Sequence, residues 1–281
     1  MRSNECRGLG PLSVLILSLA LPAAAIESVY VIPAAAHSRG AHGTEWMTDL
    51  VLQNPGDSAI TVDIALVRSG EPAEGAGAFE PLAVVAVAPG ETLLLEDLLG
   101  DNLPDEATGA LILSGTAPFT ATSRTYVEQP DGTRGAAIHV ARVFVDESSP
   151  LAALPGVRVD GRYRTNVGVF AMADGDRPLE IEVSVGGAVV QRIVTPPGEV
   201  VHSQFSIAPS GGNATATVEV RITGGRGIAT AYASVVDNGS GDATVIEPFA
   251  LESAPKSNDA RITAAERIRW MLGQAELGGE R

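Results

Sequence analysis

The chain has 281 residues, of which 45% are hydrophobic, 4% aromatic and 19% charged. This composition is apolar enough to bury a core and too poor in charge for an intrinsically disordered protein. With 19 basic and 34 acidic side chains the net charge is −15, which argues against a phosphate-backbone partner, so we expect no nucleic-acid binding.

The first 25 residues have the three-part layout of a secretory signal peptide. Arg2 and Arg7 precede an uncharged apolar run from Leu9 to Leu21, and the small residues of Pro22–Ala25 follow it. Because this run is shorter than the ~20 residues of a membrane helix, we expect cleavage, with no transmembrane segment in the mature chain. The protein is therefore predicted to be extracytoplasmic, that is periplasmic, on the cell surface or secreted.

The rest of the chain contains an internal repeat, visible as matched segments in the same order. Trp46–Leu52 matches Tyr163–Val169, Pro89–Glu91 matches Pro197–Glu199, Leu113–Gly115 matches Ile222–Gly224, and Phe119–Val127 matches Ile228–Val236. The offset between the copies is 117 residues at the first match, 108 at the second and 109 at the last two. This change predicts an insertion in the first copy at the stretch from Gly70 to Pro81, where a loop would tolerate it.

Within each copy apolar residues alternate with polar ones, which is typical of strands with one buried face. The alternation is clearest in Thr61–Leu66, Glu180–Val185 and Thr217–Thr223. The sequence therefore predicts an all-β fold of two tandem antiparallel β-sandwich domains of immunoglobulin-like type, repeat 1 at 28–142 and repeat 2 at 150–252. Because the mature chain lacks the cysteine pair of antibody domains, the true antibody topology is not predicted.

One mismatch between the copies concerns an outward-facing position. Ile112 in repeat 1 stands where repeat 2 has Arg221. An isolated exposed isoleucine is common, but the same residue would also fit a strand that packs against the other domain. The sequence leaves both interpretations open.

The tail, residues 256–281, predicts a short amphipathic helix over 259–274. Thr263 and Glu266 have the spacing of a capping box. The apolar residues that share one helical face are Ile262, Ala265, Ile268, Met271 and Leu272. Two interpretations stand: a helix docked on its own domain or frayed at the terminus, or a partner- or envelope-binding peptide whose basic face is formed by Arg261, Arg267 and Arg269.

The sequence lacks the motifs of nucleophilic catalysis and of cofactor binding, so we predict a protein that is not an enzyme. The only cysteine, Cys6, lies in the predicted leader, and no G-x-S-x-G elbow or phosphate-binding glycine loop occurs. Ser253 and Lys256 match S-x-x-K formally, but Pro255 between them opposes the helical turn that this motif requires. Nothing in the sequence indicates a cofactor.

A metal site is the one reactive centre that the residue pattern permits. His37, His42 and Glu45 lie within nine residues, and two imidazoles with a carboxylate could bind zinc. The alternative is a polar loop on which Trp46 closes the edge of the core. Calcium is a further hypothesis, since carboxylates cluster at Asp101, Asp105 and Glu106, at Asp174 and Asp176, and at Asp237 and Asp242. Turns favour the same residues, so these clusters are also explained without an ion.

The segments Gly43–Pro55 and Arg162–Val169 resemble the strand-opening motif of tandem β-sandwich repeats in large bacterial secreted or surface proteins, where GT-x-W-x-TDL-x-L-x-NP and RTN-x-G recur. The resemblance extends over most of residues 29 to 250. It implies the sandwich architecture and a bacterial source, and it implies no catalytic residues.

These observations favour a non-catalytic exported protein, a surface, adhesion or spacer module that binds through loops at the ends of its sandwiches. One alternative is a calcium- or carbohydrate-dependent binding module. Another is a metal-dependent hydrolase that uses His37, His42 and Glu45. A periplasmic assembly role is a third. A protein or a cell-envelope component would suit the first reading as a partner, and the sequence leaves the oligomeric state open.

Overall fold

The computed structural model describes residues 26–40, 43–158, 160–208, 215–251 and 264–273. The predicted signal peptide at 1–25 lies outside these ranges. No helix within them combines the length and the apolarity that a membrane crossing would need. The described chain is dominated by antiparallel strands, which confirms the predicted all-β class.

The elements of the first half, in chain order, are β1 Ser28–Arg39, β2 Glu45–Gln53, β3 Ile60–Arg68, β4 Ala73–Glu74, β5 Glu80–Val87, β6 Thr92–Leu95, α1 Leu98–Asn102, β7 Ala107–Gly115, β8 Thr120–Gln129 and β9 Gly132–His139. Those of the second half are β10 Leu151–Arg158, β11 Tyr163–Ala173, β12 Leu179–Val185, β13 Ala188–Thr195, β14 Glu199–Ser206, β15 Thr215–Gly224, β16 Gly227–Asp237, β17 Ala243–Ile246 and β18 Phe249–Ala250. A helix, α2, follows at 264–273.

Each half of the chain supplies two facing groups of strands. In the first half β6-β2-β8-β9 form sheet I and β5-β3-β7-β1 form sheet II, and the end of β1 also pairs with β2. In the second half β14-β11-β16-β17 form sheet III, to which β4 of the first half adds at the β14 edge, and β13-β12-β15-β10-β18 form sheet IV. Apart from β4 and β18, the two halves have the same strand order. It differs from the ABED order of an immunoglobulin constant domain, because β1 pairs along its length with β7 rather than with β2.

The alternation in the sequence produces the two cores. In β12, Ile181 and Val183 enter the core between sheets III and IV, while Glu180 remains exposed. Leu50 and Leu52 of β2 enter the equivalent core between sheets I and II. Each antiparallel sheet thus buries one face within its own half of the chain.

A buried threonine pins the first strand of each half. The Thr48 hydroxyl accepts a hydrogen bond from the Ala36 N–H at 2.8 Å and donates to the Ala36 carbonyl at 2.9 Å. The Thr165 hydroxyl holds the N–H and carbonyl of Arg158 in the same way. Since both threonines belong to the repeated motif, the motif carries a structural task that is common to both halves.

The two halves are joined by a third apolar cluster, here called the inter-repeat layer. It places the outer face of sheet II against the outer face of sheet III. The buried residues that form it are Val29, Val31, Val67, Ala78, Phe79, Ala110, Ile112, Phe144, Phe170, Met172, Val200, Ile228, Ala264, Ile268 and Met271. Ile112 is 1% exposed, so of the two interpretations of this residue the structure selects packing against the other half.

The insertion in the first half also contacts the second half. Its residues Ala73 and Glu74 form β4, which pairs with β14 at the edge of sheet III. Phe79 of the same segment is buried in the inter-repeat layer. The insertion is therefore a connecting element of the fold: within the predicted loop two residues form a strand, because β14 offers an unpaired edge nearby.

Helix α2 lies on the inter-repeat layer and buries Ala264, Ile268 and Met271. Its Arg267 pairs with Glu147 at 2.6 Å and with Asp174 at 3.1 Å. Arg269 donates to the carbonyl of Glu27 at 2.6 Å. Over the described residues the predicted helix is present and docked, and its basic side chains are engaged with the protein itself. Ile262 and Arg261 lie outside the described ranges.

A buried polar network connects the two halves of the chain beside the inter-repeat layer. The His202 ring is completely buried, and its Nε2 lies 3.1 Å from the Pro33 carbonyl oxygen, which can only accept. Nδ1 therefore accepts from the Ser69 hydroxyl at 2.7 Å, and Ser69 in turn accepts from Thr108 at 3.0 Å. Burial lowers the pKa of His202 to about 4, although its bond to the Pro33 carbonyl opposes this shift.

We predict that exchanging Ile112 for the residue of the other repeat, Ile112→Arg, destabilises the protein by ~3 kcal/mol or more. The substitution buries a charge without a partner in the inter-repeat layer. Urea unfolding followed by circular dichroism measures the effect. Val84→Arg on β5 of the same sheet is the control, because Val84 is 69% exposed, and its cost should stay within ~0.5 kcal/mol. If Ile112→Arg does not fold, Ile112→Ala should still cost ~2–4 kcal/mol; equal stabilities of the Ile112 and Val84 variants contradict the packing.

We predict that His202 makes the protein less stable in acid. In the unfolded chain His202 binds a proton below about pH 6.5, whereas in the folded protein it does so only near pH 4. Its contribution to the free energy of unfolding is therefore complete above pH 6.5 and is lost progressively as the pH falls to about 4. The loss amounts to ~3 kcal/mol. Urea unfolding at pH 7 and pH 4.5 should show a smaller loss for His202→Gln than for the wild type. Equal losses, or an NMR titration midpoint of His202 near 6.5, would contradict this.

Candidate functional site

The predicted metal loop is only partly described, because His42 lies outside the described residues. His37 Nε2 is 4.0 Å from Glu45 Oε1, a loose contact in which the Glu45 side chain is largely exposed. His37 Nδ1 contacts Asp97 Oδ2 at 3.0 Å. Among the described residues no group of three or more His, Cys, Asp or Glu side chains is arranged to hold a metal ion. The metal site at His37, His42 and Glu45 stays a prediction.

The contact between His37 and Asp97 was not predicted from the sequence. Asp97 lies immediately before α1 with φ of +34°, in the left-handed region that costs energy for a residue with a side chain. Its N–H donates to Asp49 Oδ1 at 3.0 Å, and the Tyr126 hydroxyl donates to the same oxygen at 3.1 Å. Burial and the nearby Asp49 raise the pKa of Tyr126 to about 12. These bonds fix the end of sheet I.

Two of the carboxylates considered for calcium are engaged with arginines. Asp174 pairs with Arg267 and lies 3.4 Å from Arg226. Asp237 accepts the N–H groups of Gly239 and Ser240 and pairs with Arg162 at 3.0 Å. Backbone bonds and the arginine lower the pKa of Asp237. At both positions the negative charge is already compensated by the protein.

Ser69 and His202 lie as close together as a catalytic nucleophile and its base, but they lack free N–H groups nearby that could stabilise an oxyanion. The Ser69 N–H donates to the Thr108 carbonyl at 2.7 Å, and the Gly70 N–H donates to the His202 carbonyl at 3.0 Å. Neither N–H is left to stabilise an oxyanion, as acyl transfer at Ser69 would require. The position of this network between the two halves of the chain accounts for its hydrogen bonds.

A concave site that joins both halves is a cleft where sheet III extends past sheet II and faces the open end of sheet I. We call it the inter-repeat cleft. Its inner part has a volume of about 120 Å³. Its lining comes from both halves: Ala34, Ala35, Ala36, Ser38, Trp46, Thr108, Thr125, Ala136, Ile138, Arg164, Asn166, Gln204, Tyr232, Ser234, Val236, Ala243 and Val245. An outer part of about 340 Å³ shares Trp46 and Arg164 with it.

The floor of the cleft is built by rows of side chains across sheet III. Gly168 pairs with Tyr232 on one side and with Gln204 on the other. A Cβ at Gly168 would collide with the Tyr232 ring, so the glycine allows this ring to lie across β11. The Tyr232 hydroxyl then reaches Gln204 Oε1 at 3.2 Å. In the next row Asn166 accepts from the Ser206 hydroxyl at 2.6 Å.

Trp46 and Arg164 lie where the inner and outer parts of the cleft meet. Trp46 shares a strand face with Leu50 and Leu52 but lies at the open end of the first sandwich, where it is half-buried. Arg164 projects from the opposite sheet and donates to the neutral amide oxygen of Asn238 at 2.7 Å. The cleft thus combines an aromatic surface, a cation, and several hydroxyl and amide groups, which suits a polar small-molecule ligand.

Neither Trp46 nor Asn166 was predicted from the sequence to line a binding site. Trp46 was expected to close the edge of the core. Arg164 was part of the repeated motif without an assigned task. The only signal in the sequence was the alternation of Arg164, Asn166 and Gly168 along one strand face.

Comparison with models of known protein families and with characterised proteins gave no match. Among solved structures the chain is similar to a lectin from Pleurotus ostreatus determined in complex with GalNAc. The identity is 9%, the alignment covers 81% of this chain and 87% of the lectin, and the TM-score is 0.23. A likeness at this level carries no argument about ligand or activity, so the site is interpreted from its own residues.

Proposed function

We propose that the protein is an exported, non-catalytic binding module of two tandem sandwich domains, 28–142 and 150–252, whose ligand occupies the inter-repeat cleft. Export is inferred from the leader at 1–25. The observation that carries the proposal is the convergence of Trp46 from one half with Arg164 and Asn166 from the other on a single concave surface. Both halves are needed to form the site.

The chemistry of the cleft supports binding rather than turnover. The described residues that line it include no histidine, aspartate or glutamate. General acid–base catalysis relies chiefly on these side chains, placed within hydrogen-bond reach of the substrate. Hydroxyl, amide, indole and guanidinium groups can orient a ligand without reacting with it. This arrangement favours the binding interpretation over the hydrolase alternative.

The proposed binding surface differs from the loops at the sandwich ends that the sequence suggested. Most of the cleft lining lies on strands that are fixed by the ladders of sheets I and III. Strand-borne side chains are held more rigidly than loop side chains, which lowers the entropy cost of binding. A surface or adhesion module would gain affinity from such a preformed site.

We predict that Trp46→Ala abolishes ligand retention by the mature protein, while Tyr163→Ala leaves it intact. Tyr163 is the equivalent residue of the second repeat and lies outside the cleft lining, so it controls for loss of an aromatic residue at the end of a sandwich. The measurement is capture of glycans from an array and of fragments from envelope extract, with thermal melting of both variants to establish folding.

Ligand eluted from the wild type should be chemically unchanged by mass spectrometry. Retention that survives Trp46→Ala in a folded variant contradicts the cleft as the binding site. Conversion of the eluted ligand to a product contradicts the non-catalytic function.

A further inference from the structure

The cleft contains a cation that the protein itself does not neutralise. The chain carries 34 acidic residues, yet among the described residues that line the inner and outer parts of the cleft none is acidic. Arg134, which lines the outer part, pairs with Asp131 at 2.7 Å. Arg164 by contrast bonds to the neutral Asn238 oxygen, and within the described ranges it forms no salt bridge. Its guanidinium is thus available for an anion.

Neutral polar groups line the same cleft as this cation. Ser38, Thr108 and Thr125 line the inner cleft from the first half of the chain, and Asn166, Gln204 and Ser234 line it from the second. Hydroxyl and amide groups at this density suit a ligand that carries many hydroxyls of its own, because each group can donate or accept. The indole of Trp46 adds an apolar surface against which the C–H face of a sugar ring can stack.

On the basis of the proposed function, we propose that the inter-repeat cleft binds a carboxylate-bearing carbohydrate of the uronic acid class. The carboxylate pairs with Arg164, whose planar guanidinium matches it in a bidentate arrangement. The ring lies against Trp46, and the remaining hydroxyls reach the amide and hydroxyl groups of sheet III. The proposal combines three features of one surface: a cation without a carboxylate partner, an aromatic platform and a neutral polar lining.

The dimensions of the cleft agree with a ligand longer than one ring. Trp46 and Arg164 line both the inner part of about 120 Å³ and the outer part of about 340 Å³. A chain of rings can therefore place its charged unit at Arg164 while neighbouring units extend into the outer part, near Gln129 and Ser240. This geometry favours a short oligosaccharide over a free monosaccharide.

The chain offers its own reporter for this test. Trp46 and Trp270 are the two tryptophans, and Trp270 is 55% exposed on α2. Trp270→Phe therefore leaves Trp46 as the single tryptophan, located in the cleft, whose emission is followed with excitation selective for tryptophan over tyrosine. The probes are trigalacturonate and its methyl ester, which retains the size and the hydroxyls but removes the charge, and acetate, which retains only the carboxylate.

In the Trp270→Phe background we expect trigalacturonate to change Trp46 emission in a saturable way. Arg164→Gln should weaken this binding about 10- to 100-fold, as expected for loss of a charged hydrogen-bonded pair. The matched control is Arg162→Gln, which removes the same charge from a side chain that is 72% exposed and paired with Asp237. The affinity of the Arg162→Gln variant for trigalacturonate should change less than about twofold. The methyl ester should bind about as weakly as trigalacturonate binds the Arg164 variant.

The outcomes separate this proposal from the function on which it rests. Equal binding of the acid and its ester, or an Arg164→Gln variant that binds like the wild type, overturns the carboxylate preference while leaving the cleft as a binding site. Equal binding of acetate and trigalacturonate overturns the carbohydrate class. No response of Trp46 to any probe overturns the uronic acid proposal, whereas the proposed function is then decided by the capture experiment with Trp46→Ala and Tyr163→Ala.

Discussion

The structure depends on the burial of two sheet faces that would otherwise face water. Sheet II is apolar on both sides: along β7, Leu111 and Leu113 enter the core of the first sandwich, while Ala110 and Ile112 enter the inter-repeat layer. A strand buried on both faces reads as a continuous apolar run instead of an alternating one. At ~25 cal/mol per Å² of apolar surface, such a layer is a major stabilising contribution. It fixes sheet III over the end of sheet I, and the cleft exists only because of that placement.

The outer face of sheet IV differs from that of sheet II, and its composition follows from its exposure to water. Sheet IV is the counterpart of sheet II, but its outer face carries charges where sheet II carries apolar groups. Arg221 replaces Ile112, and Glu182 pairs with Arg192 at 2.7 Å on the same face. A sheet face that carries paired charges is stable in contact with water. The two halves therefore share one strand order and differ in their outer surfaces.

The positions of the strands could be predicted from the sequence, whereas the contacts between the two halves could not. The alternation in Glu180–Val185 and the motif around Trp46 located strands correctly, since both are local signals. The match of Phe119–Val127 to Ile228–Val236 was one residue out of register: Trp46 pairs with Val127, but the equivalent Tyr163 pairs with Asp237. A slip of one residue exchanges the two strand faces. The register is visible in the structure, where Ala229 lies in the core of the second sandwich and Ile228 lies in the inter-repeat layer.

The site was beyond the reach of the sequence because it joins residues whose motifs are equivalent but whose surroundings are not. In the second half Thr165 faces inward to hold the first strand, which leaves Arg164, Asn166 and Gly168 on the outer face of sheet III. Their counterparts Met47, Asp49 and Val51 lie on the outer face of sheet I, which no other sheet of the described residues covers. There Asp49 accepts hydrogen bonds from the Asp97 N–H and the Tyr126 hydroxyl. One motif thus serves folding in both halves and forms a cleft in one. What decides between the two outcomes is whether another sheet covers the face, a property of the assembled fold and not of the strand.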